Sequence, residues 1–303
     1  MTEVNKTIWI SGTRGFVGSH LIRSLSSTGD QVRCISNSNT ENSNIIHIGF
    51  SDRNRIAVAI KKYGVPHTFI HLGWGAVYEP HSKIHLTANI SDGKNLISEL
   101  FSCGLEKFIL LGSSAEYVDR RGSLSENMSP EGELNPYVKG KREVSSYGFK
   151  TAKRLNKVFI HIRLFYAFGA GQQQNSLINQ LYKSYVEDST MNLSPCEHYR
   201  DYIAISDVVH GIKLISNINE SAIVNLGSGR VIQLKDFVKL FWEVLGGNPE
   251  HLNFGAHSKP ALETEQPRCY ANLETLKRLT NWTPSLSVED GIKLTIKELK
   301  EIF

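Results

Sequence analysis

Tyr137 and Lys141 stand four residues apart in the segment N-P-Y-V-K-G-K, so a helix entered after Pro136 puts a phenol and an ammonium on one face. A neighbouring cation favours the phenolate and lowers a tyrosine pKa from about 10, which lets the pair act together on one ligand. Upstream, an apolar run from Lys107 to Leu111 ends in Gly112-Ser113-Ser114, a second gathering of polar groups. A third lies near the start of the chain. Gly12, Gly15 and Gly18 recur every three residues between a β-branched and aromatic run, Thr7 to Ile10, and a helical pattern of Phe16, Val17, Leu21, Ile22 and Leu25. A strand, a tight glycine turn and a helix start bring free N–H groups and a positive dipole end to one point, which suits a phosphate. Glycine permits both the sharp turn and the approach of a pyrophosphate to the backbone.

These groups need elements to hold them. Gln31 to Ser36, Asn44 to Phe50, Thr68 to Leu72 and Lys107 to Leu111 read as further strands, separated by helical patterns. One long helix carries Ile84, Leu86, Ile90, Leu96, Ile97 and Leu100. The alternation predicts the α/β class, with a doubly wound parallel sheet that binds ligands at the carboxyl ends of its strands. Three such ends are polar or glycine-rich: Gly12 to Gly18, Leu72 to Ala76 and Gly112 to Tyr117. After a loop over 123–136, Tyr137 to Tyr147 reads as a helix and Val158 to Leu164 as a sixth strand. The pattern then loosens, with helices at Ser176 to Val186, Asp236 to Leu245 and Val288 to Ile302. Residues 1–166 are expected to form one domain, with a return near 202–228. Residues 167–303 are expected to form mainly a smaller C-terminal α/β domain on the substrate side.

The 303 residues carry a net charge of +4 and no Lys/Arg block, which gives no argument for nucleic acid. No apolar run approaches the length of a membrane helix, and M-T-E-V-N-K lacks the apolar core of a signal peptide. Cys34, Cys103, Cys196 and Cys269 are scattered, with no C-x-x-C pair, which counts against zinc and against a disulfide framework. A cytoplasmic protein with no metal, nucleic-acid or membrane partner is expected.

Taken together, these segments resemble the extended short-chain dehydrogenase/reductases, the branch of NAD(P)-dependent sugar-nucleotide epimerases, dehydratases and reductases. G-T-R-G-F-V-G resembles the family's cofactor loop and F-I-H-L-G-W its fourth-strand end. S-S-A-E-Y resembles its catalytic serine segment, and N-P-Y-V-K-G-K its catalytic tyrosine and lysine. R-L-F-Y-A-F-G-A-G-Q, R-D-Y-I-A-I-S-D-V, N-L-G-S-G and L-T-N-W-T-P follow in the family's order. The resemblance implies a Rossmann-type fold, a nicotinamide dinucleotide, a nucleoside-diphosphate sugar and a homodimer. It implies that Ser114, with Ser113 as the alternative, hydrogen-bonds the substrate oxygen. Tyr137 would then exchange the proton, and Lys141 would hold the nicotinamide ribose and tune Tyr137. The implied cofactor contacts are Gly12, Arg14, Gly15, Phe16, Val17, Gly18, Ser36, Asn37, Leu72, Gly73 and Asn89. Glu116 and Asn175 are implied substrate contacts, and Arg200 and Arg268 are the guanidinium forks implied for the diphosphate. Trp74 either shapes the sugar pocket or belongs to the core.

The end of the second strand bears on the cofactor. An NAD enzyme of this fold carries Asp or Glu there for the ribose 2′-OH; this chain has Ser36, Asn37 and Ser38. Arg14 in the glycine loop can reach a 2′-phosphate and Arg33 lies nearby, so NADP(H) is the expected cofactor. The family's dehydratases carry Thr-Asp-Glu where this chain has Ser114, Ala115 and Glu116, and Ala115 has no proton to give. The missing acid after strand two also counts against a 4-epimerase with tightly held NAD. What remains is reduction of the 4-keto group of a nucleoside-diphosphate-4-keto-6-deoxyhexose by NADPH, with Tyr137 as the acid. Such a step serves the synthesis of cell-surface polysaccharide precursors. An NAD-dependent 4-epimerase and a non-catalytic NADP-binding sensor are the alternatives. Tyr166, Phe168 and Ala170 replace the family's Asn, Tyr and Pro, on what is expected to be the substrate side.

Overall fold

The computed structural model describes residues 6–26, 31–36, 45–47, 53–257 and 268–302. The chain divides into two compact units, the first of 1–118, 132–163 and 213–224 and the second of 119–131, 164–212 and 225–303. The return to the first unit is thus shorter than the expected 202–228. Residues 119–131, expected in the first domain, cluster with the second, because the short strand Gly122–Leu124 pairs with Cys269–Ala271.

The first unit is built on a seven-stranded sheet: β1 (Thr7–Ser11), β2 (Gln31–Ser36), β3 (Ile45–His47), β4 (Thr68–His71), β5 (Lys107–Leu111), β6 (Val158–Leu164) and β7 (Ala222–Leu226). The strand order is β7-β6-β5-β4-β1-β2-β3, and the pairings from β6 across to β3 are parallel. Parallel strands covered on both faces read as apolar runs, and the register turns those runs into ladders. Trp9, Phe69, Phe108 and Phe159 lie side by side on one face, and Ile10, Ile70, Ile109 and Ile160 on the other. Phe108 stacks on Phe69 at 5.3 Å and on Phe159 at 5.6 Å between ring centroids.

Helices α1 (Phe16–Leu25), α2 (Arg53–Tyr63), α3 (Ala88–Ser102) and α4 (Pro136–Leu155) accompany the sheet. The expected long helix from Ile84 is broken: a 3-10 turn, Lys83–Leu86, precedes α3, and Thr87 between them has φ −118° and ψ −95°. Helix α4 starts where Asn135 caps Val138 N–H at 3.0 Å and Pro136 takes the first turn. It runs on past Tyr147 because Val144, Gly148, Thr151 and Ala152 continue its buried stripe. Of the third strand expected over 44–50, residues 45–47 are described and form β3; the others lie outside the described residues.

The second unit contains α5 (Leu177–Val186), most of α6 (Ile205–Ile215), α7 (Leu234–Leu245), α8 (Glu274–Thr280), α9 (Val288–Ile302) and short strand pairs. Its core gathers Phe168, Leu181, Phe237, Val238, Phe241, Trp242, Ile292 and Leu299. Phe168 and Ala170, expected on the substrate side, are buried in this core; Phe168 meets Phe237 edge-on at 5.2 Å. Two of the three departures from the family pattern are therefore matters of packing. The acids of R-D-Y-I-A-I-S-D-V act as fasteners. Asp201 accepts from Ser228 N–H and Oγ–H, Gly229 N–H and Ala271 N–H at 2.6–3.0 Å. Asp207 accepts from Ser285 and Leu286. Among the described residues no helix is long and apolar enough to cross a membrane.

Candidate active site

The glycine loop joins β1 to α1, and its three glycines have different causes. Gly12 has φ +75°, and a Cβ there would lie 2.5 Å from Gly73 N and 2.7 Å from Leu72 C. A Cβ on Gly18 would lie 2.3 Å from Gly12 O. Gly15 is the N-cap of α1 at φ −78° and provides no side-chain cap, so the first-turn N–H groups of α1, at Phe16 and Val17, are left to another acceptor. Thr13 hydrogen-bonds the Cys34 thiol and ties the loop to β2. The loop opens on a cavity of about 340 Å³ that Ile35, His71, Gly73, Trp74, Asn89 and Asp92 also line. Uncapped N–H groups above a backbone cradle with no room for a Cβ fit the diphosphate of a dinucleotide.

Arg14 is exposed and lines this cavity. Arg33 lies over the Tyr63 ring at 4.5 Å. Ser36 closes β2, and Asn37 lies outside the described residues. Asn89 clamps the end of β4: its Oδ1 accepts from Gly75 N–H at 3.1 Å and its Nδ2 donates to Gly75 O at 3.0 Å. His71 pairs with Ser11 Oγ at 2.5 Å, and burial, helped by the Lys141 charge, pushes it down to about 3. The cavity therefore holds a neutral imidazole.

Tyr137 and Lys141 do share a face of α4. Lys141 is buried and donates from Nζ to Leu111 O at 2.6 Å. Its Nζ lies 4.0 Å over the Trp74 ring and 5.8 Å from the Tyr137 ring centroid. Burial pulls Lys141 down to about 7, against the Glu116 charge, which raises it. Tyr137 is half-buried, edge-on to His85 at 5.3 Å and to Trp74 at 6.3 Å. His85 Nδ1 accepts from Trp74 Nε1–H at 3.0 Å and its Nε2 lies 2.9 Å from Glu79 O, which fixes the Nε2–H tautomer. Trp74 thus belongs to the site, held flat over the lysine. Gly140 makes this approach possible, since a Cβ there would lie 2.3 Å from His85 O.

Ser114 opens a short 3-10 helix, Ser114–Tyr117, at the end of β5, and this helix packs on α4. Ser113 is its cap: Ser113 Oγ accepts from Ala115 N–H at 3.1 Å, and Glu116 Oε1 accepts from Ser113 N–H at 2.9 Å. That leaves Ser114 outside the cap. Glu116, expected to touch the substrate, is 1% exposed and faces inward, with His161 Nε2 at 3.0 Å from Oε1 and Arg163 Nε at 3.6 Å from Oε2. His161 and Arg163 sit inside an apolar strand, and buried polar groups require partners.

In the second unit Arg200 is buried, donates to Tyr199 O at 2.8 Å and lies 4.7 Å over the Tyr166 ring. Burial and the Arg200 charge push His198 down to about 4. Arg268 is exposed and lies 4.7 Å over the Tyr199 ring. Asn175 is exposed in its loop, whose buried asparagine is Asn179, bonded to Gln172 O and Gln173 O.

Sequence reading missed His85, Ser145, His161 and Arg163. The last two carried a signal: in V-F-I-H-I-R-L an imidazole and a guanidinium interrupt a buried strand. His85 carried none, since a lone histidine beside exposed apolar residues has no distinguishing pattern.

A family model described as "NAD dependent epimerase/dehydratase family" matches residues 8–227. A UDP-glucuronate 4-epimerase of Thermodesulfobacterium geofontis is 23% identical, over 96% of this chain and 95% of that protein. A CDP-abequose synthase of Salmonella typhimurium is 24% identical, over 99% of this chain and 100% of that protein. The crystal structure of the UDP-glucose 4-epimerase of Thermotoga maritima superposes with a TM-score of 0.85 at 22% identity, covering 98% of this chain and 99% of that one.

Proposed function

The chain belongs to the NAD-dependent epimerase/dehydratase family and is an oxidoreductase of the short-chain dehydrogenase/reductase type; from that premise we propose that it uses NADPH to reduce the 4-keto group of a nucleoside-diphosphate-4-keto-6-deoxyhexose. The observation that carries this reading is Trp74, which lines the glycine-loop cavity and at the same time covers Lys141 and borders Tyr137. This supports a proton-transfer pair of Tyr137 and Lys141 at the edge of a dinucleotide cradle. The similarity to a CDP-abequose synthase over both full lengths supports nucleotide-sugar chemistry.

NADPH, held in this cradle, would supply the hydride for C4. The uncapped start of α1 and the Gly12–Gly18 backbone hold the diphosphate. Arg14 favours a 2′-phosphate, and no carboxylate at Ser36 opposes it. Tyr137 gives its phenolic proton to the ketone oxygen as the C4–H bond forms, so the neutral phenol suffices and the products are the alcohol and NADP⁺. Ser114 donates a hydrogen bond to the same oxygen, and Lys141 orients the nicotinamide ribose. Arg200 and Arg268 clamp the diphosphate of the sugar nucleotide. The enzyme would work in the cytoplasm as a homodimer.

The test is an NADPH-oxidation screen over CDP-, dTDP- and GDP-linked 4-keto sugars. One of them should be reduced, and Tyr137→Phe should lose at least about a hundredfold in kcat. A Tyr137→Phe enzyme at full rate would sink the mechanism. A second reading, NAD-dependent 4-epimerisation, is favoured by the UDP-glucuronate 4-epimerase relative. Co-purified, non-exchanging NAD would support it.

A further inference from the structure

Five buried side chains close a ring around the end of β5. Lys141 Nζ holds Leu111 O at 2.6 Å, and two residues on Ser113 N–H holds Glu116 Oε1 at 2.9 Å. His161 Nε2 lies 3.0 Å from the same Glu116 oxygen, and His161 Nδ1 lies 2.6 Å from Ser145 Oγ. Ser145 follows Lys141 by four residues on α4, so the ring returns to the helix where it began. Arg163 completes it, with Nε 3.6 Å from Glu116 Oε2. Lys141, Ser145, Glu116, His161 and Arg163 are each no more than 6% exposed. The residue between the two backbone anchors is Gly112, where a Cβ would lie 2.0 Å from His161 Nε2 and 2.4 Å from Glu116 Oε1. Glycine is required there to let the carboxylate in.

We propose that Glu116 is the buried counter-charge of Lys141: a positioning residue, clamped by Ser113, His161 and Arg163, whose carboxylate is fixed at Ser113, two residues along the end of β5 from the carbonyl that Lys141 grips. Lys141's own contacts, a carbonyl and an indole face, are neutral and leave a buried cation undercompensated. Around it stand His71 on β4, His85 in the 3-10 turn and Tyr137 on its own helix, with Asp92 of α3 lining the same cavity. Glu116 is the acid whose charge acts on Lys141, and it is itself held in the ionised form by His161 and Arg163 against its burial. The consequence for the reaction rests on the proposed role of Lys141 at the nicotinamide ribose. The electrostatic pairing does not.

The test reads Lys141 directly. In protein carrying ¹³C,¹⁵N-lysine, its Cε–Nζ signal, identified by its loss in Lys141→Met, is followed across pH without dinucleotide or substrate. Glu116→Gln keeps the acceptor for Ser113 N–H and removes the charge; the Lys141 midpoint should fall by about one pH unit or more. Glu116→Asp should restore most of the fall, which loss of packing alone would not explain. An unchanged midpoint in Glu116→Gln overturns the proposal. If that single variant does not fold, the double variant E116Q/R163M neutralises both partners of the ion pair, a change that buried pairs tolerate. It is read against R163M, so that only the carboxylate differs: its Lys141 midpoint should lie about one pH unit or more below that of R163M, and equal midpoints in the two are equally fatal. Failure of the reductase reading would appear in the NADPH assay and leave this midpoint untouched.

Discussion

Replacing Gly12 by alanine should loosen the first unit, whereas replacing Gly15 should leave the free protein intact and weaken dinucleotide binding. At Gly12 an alanine must adopt φ +75°, which costs an L-residue about 1–2 kcal/mol. Its Cβ also meets backbone, Gly73 N at 2.5 Å and Leu72 C at 2.7 Å, so the loop and the end of β4 must separate. Overpacking of that kind adds about 1–3 kcal/mol, and it strains the Leu72 N–H to Ser11 O bond of 3.1 Å that joins β4 to β1. The sum is about 2–5 kcal/mol. Gly15 has φ −78° and ψ 170°, open to any residue, and its Cβ would meet only Gly12 O at 3.3 Å. Gly15→Ala should therefore change stability by no more than about 1 kcal/mol. It still puts a methyl where a pyrophosphate approaches, and NADPH affinity should drop about tenfold or more, the worth of one charge-assisted hydrogen bond. Urea unfolding and hydrogen exchange at Ser11 and Leu72 measure the first effect, and NADPH fluorescence titration measures the second. Equal destabilisation by the two substitutions would refute the reasoning.

The remaining predictions concern charge and shape at the same site. Burial holds Lys141 at about 7, against 10.5 for a free lysine, so between those values the folded chain binds fewer protons than the unfolded chain and stability rises with pH. Lys141→Met should accordingly raise Tm most near about pH 6, with a gain that shrinks towards about pH 10; a gain independent of pH would contradict the burial argument. Arg14→Ala should weaken NADPH binding about 10- to 100-fold and NADH binding far less, and equal losses in paired titrations would remove the case for NADP. Trp74→Phe keeps a ring over Lys141 but loses the bond to His85, about 1 kcal/mol. Trp74→Ala also removes the cation–π contact, so steady-state kinetics should rank wild type above Phe above Ala in kcat, and an unaffected Trp74→Ala would place the ring outside the site.

The sheet was legible because period and chemistry agree along it. Each of its first five strands ends in glycine or turn residues, and an aromatic in one strand has an aromatic partner in the next, as Phe69, Phe108 and Phe159 do. The glycine loop and the Tyr137–Lys141 pair were legible because their spacings are local. Glu116 was misread for the opposite reason. Its partners lie 45 and 47 residues away on β6, and no local pattern tells an acid that faces substrate from one that faces a buried histidine. The break at Thr87 was equally invisible, since Ile84 and Leu86 fit the helical period of α3 while their turn is 3-10.

The motifs that identify the family divide by what their polar atoms do. Asp201 and Asp207 spend their oxygens on backbone N–H groups of the second unit, and Asn225 spends its amide on Leu124 O and Asn272 O. Asn89 rivets Gly75, and Ser113 and Glu116 cap each other's turn. A buried polar group left unmatched costs about 1–3 kcal/mol, so these positions are constrained by the fold and would be the same for a reductase, an epimerase or a binding protein. In the first unit, the first-turn N–H groups of α1 have no side-chain cap and Ser114 stands outside the Ser113 cap. Such positions, with Trp74, which covers Lys141 and borders Tyr137, are the ones at which members of the family can differ in substrate. Substituting at those positions should change which substrate is turned over. Substituting Asp201, Asp207 or Asn225 should change chiefly whether the protein folds, whereas Glu116, which acts on Lys141, and Asn89, which lines the cavity, should affect the site as well.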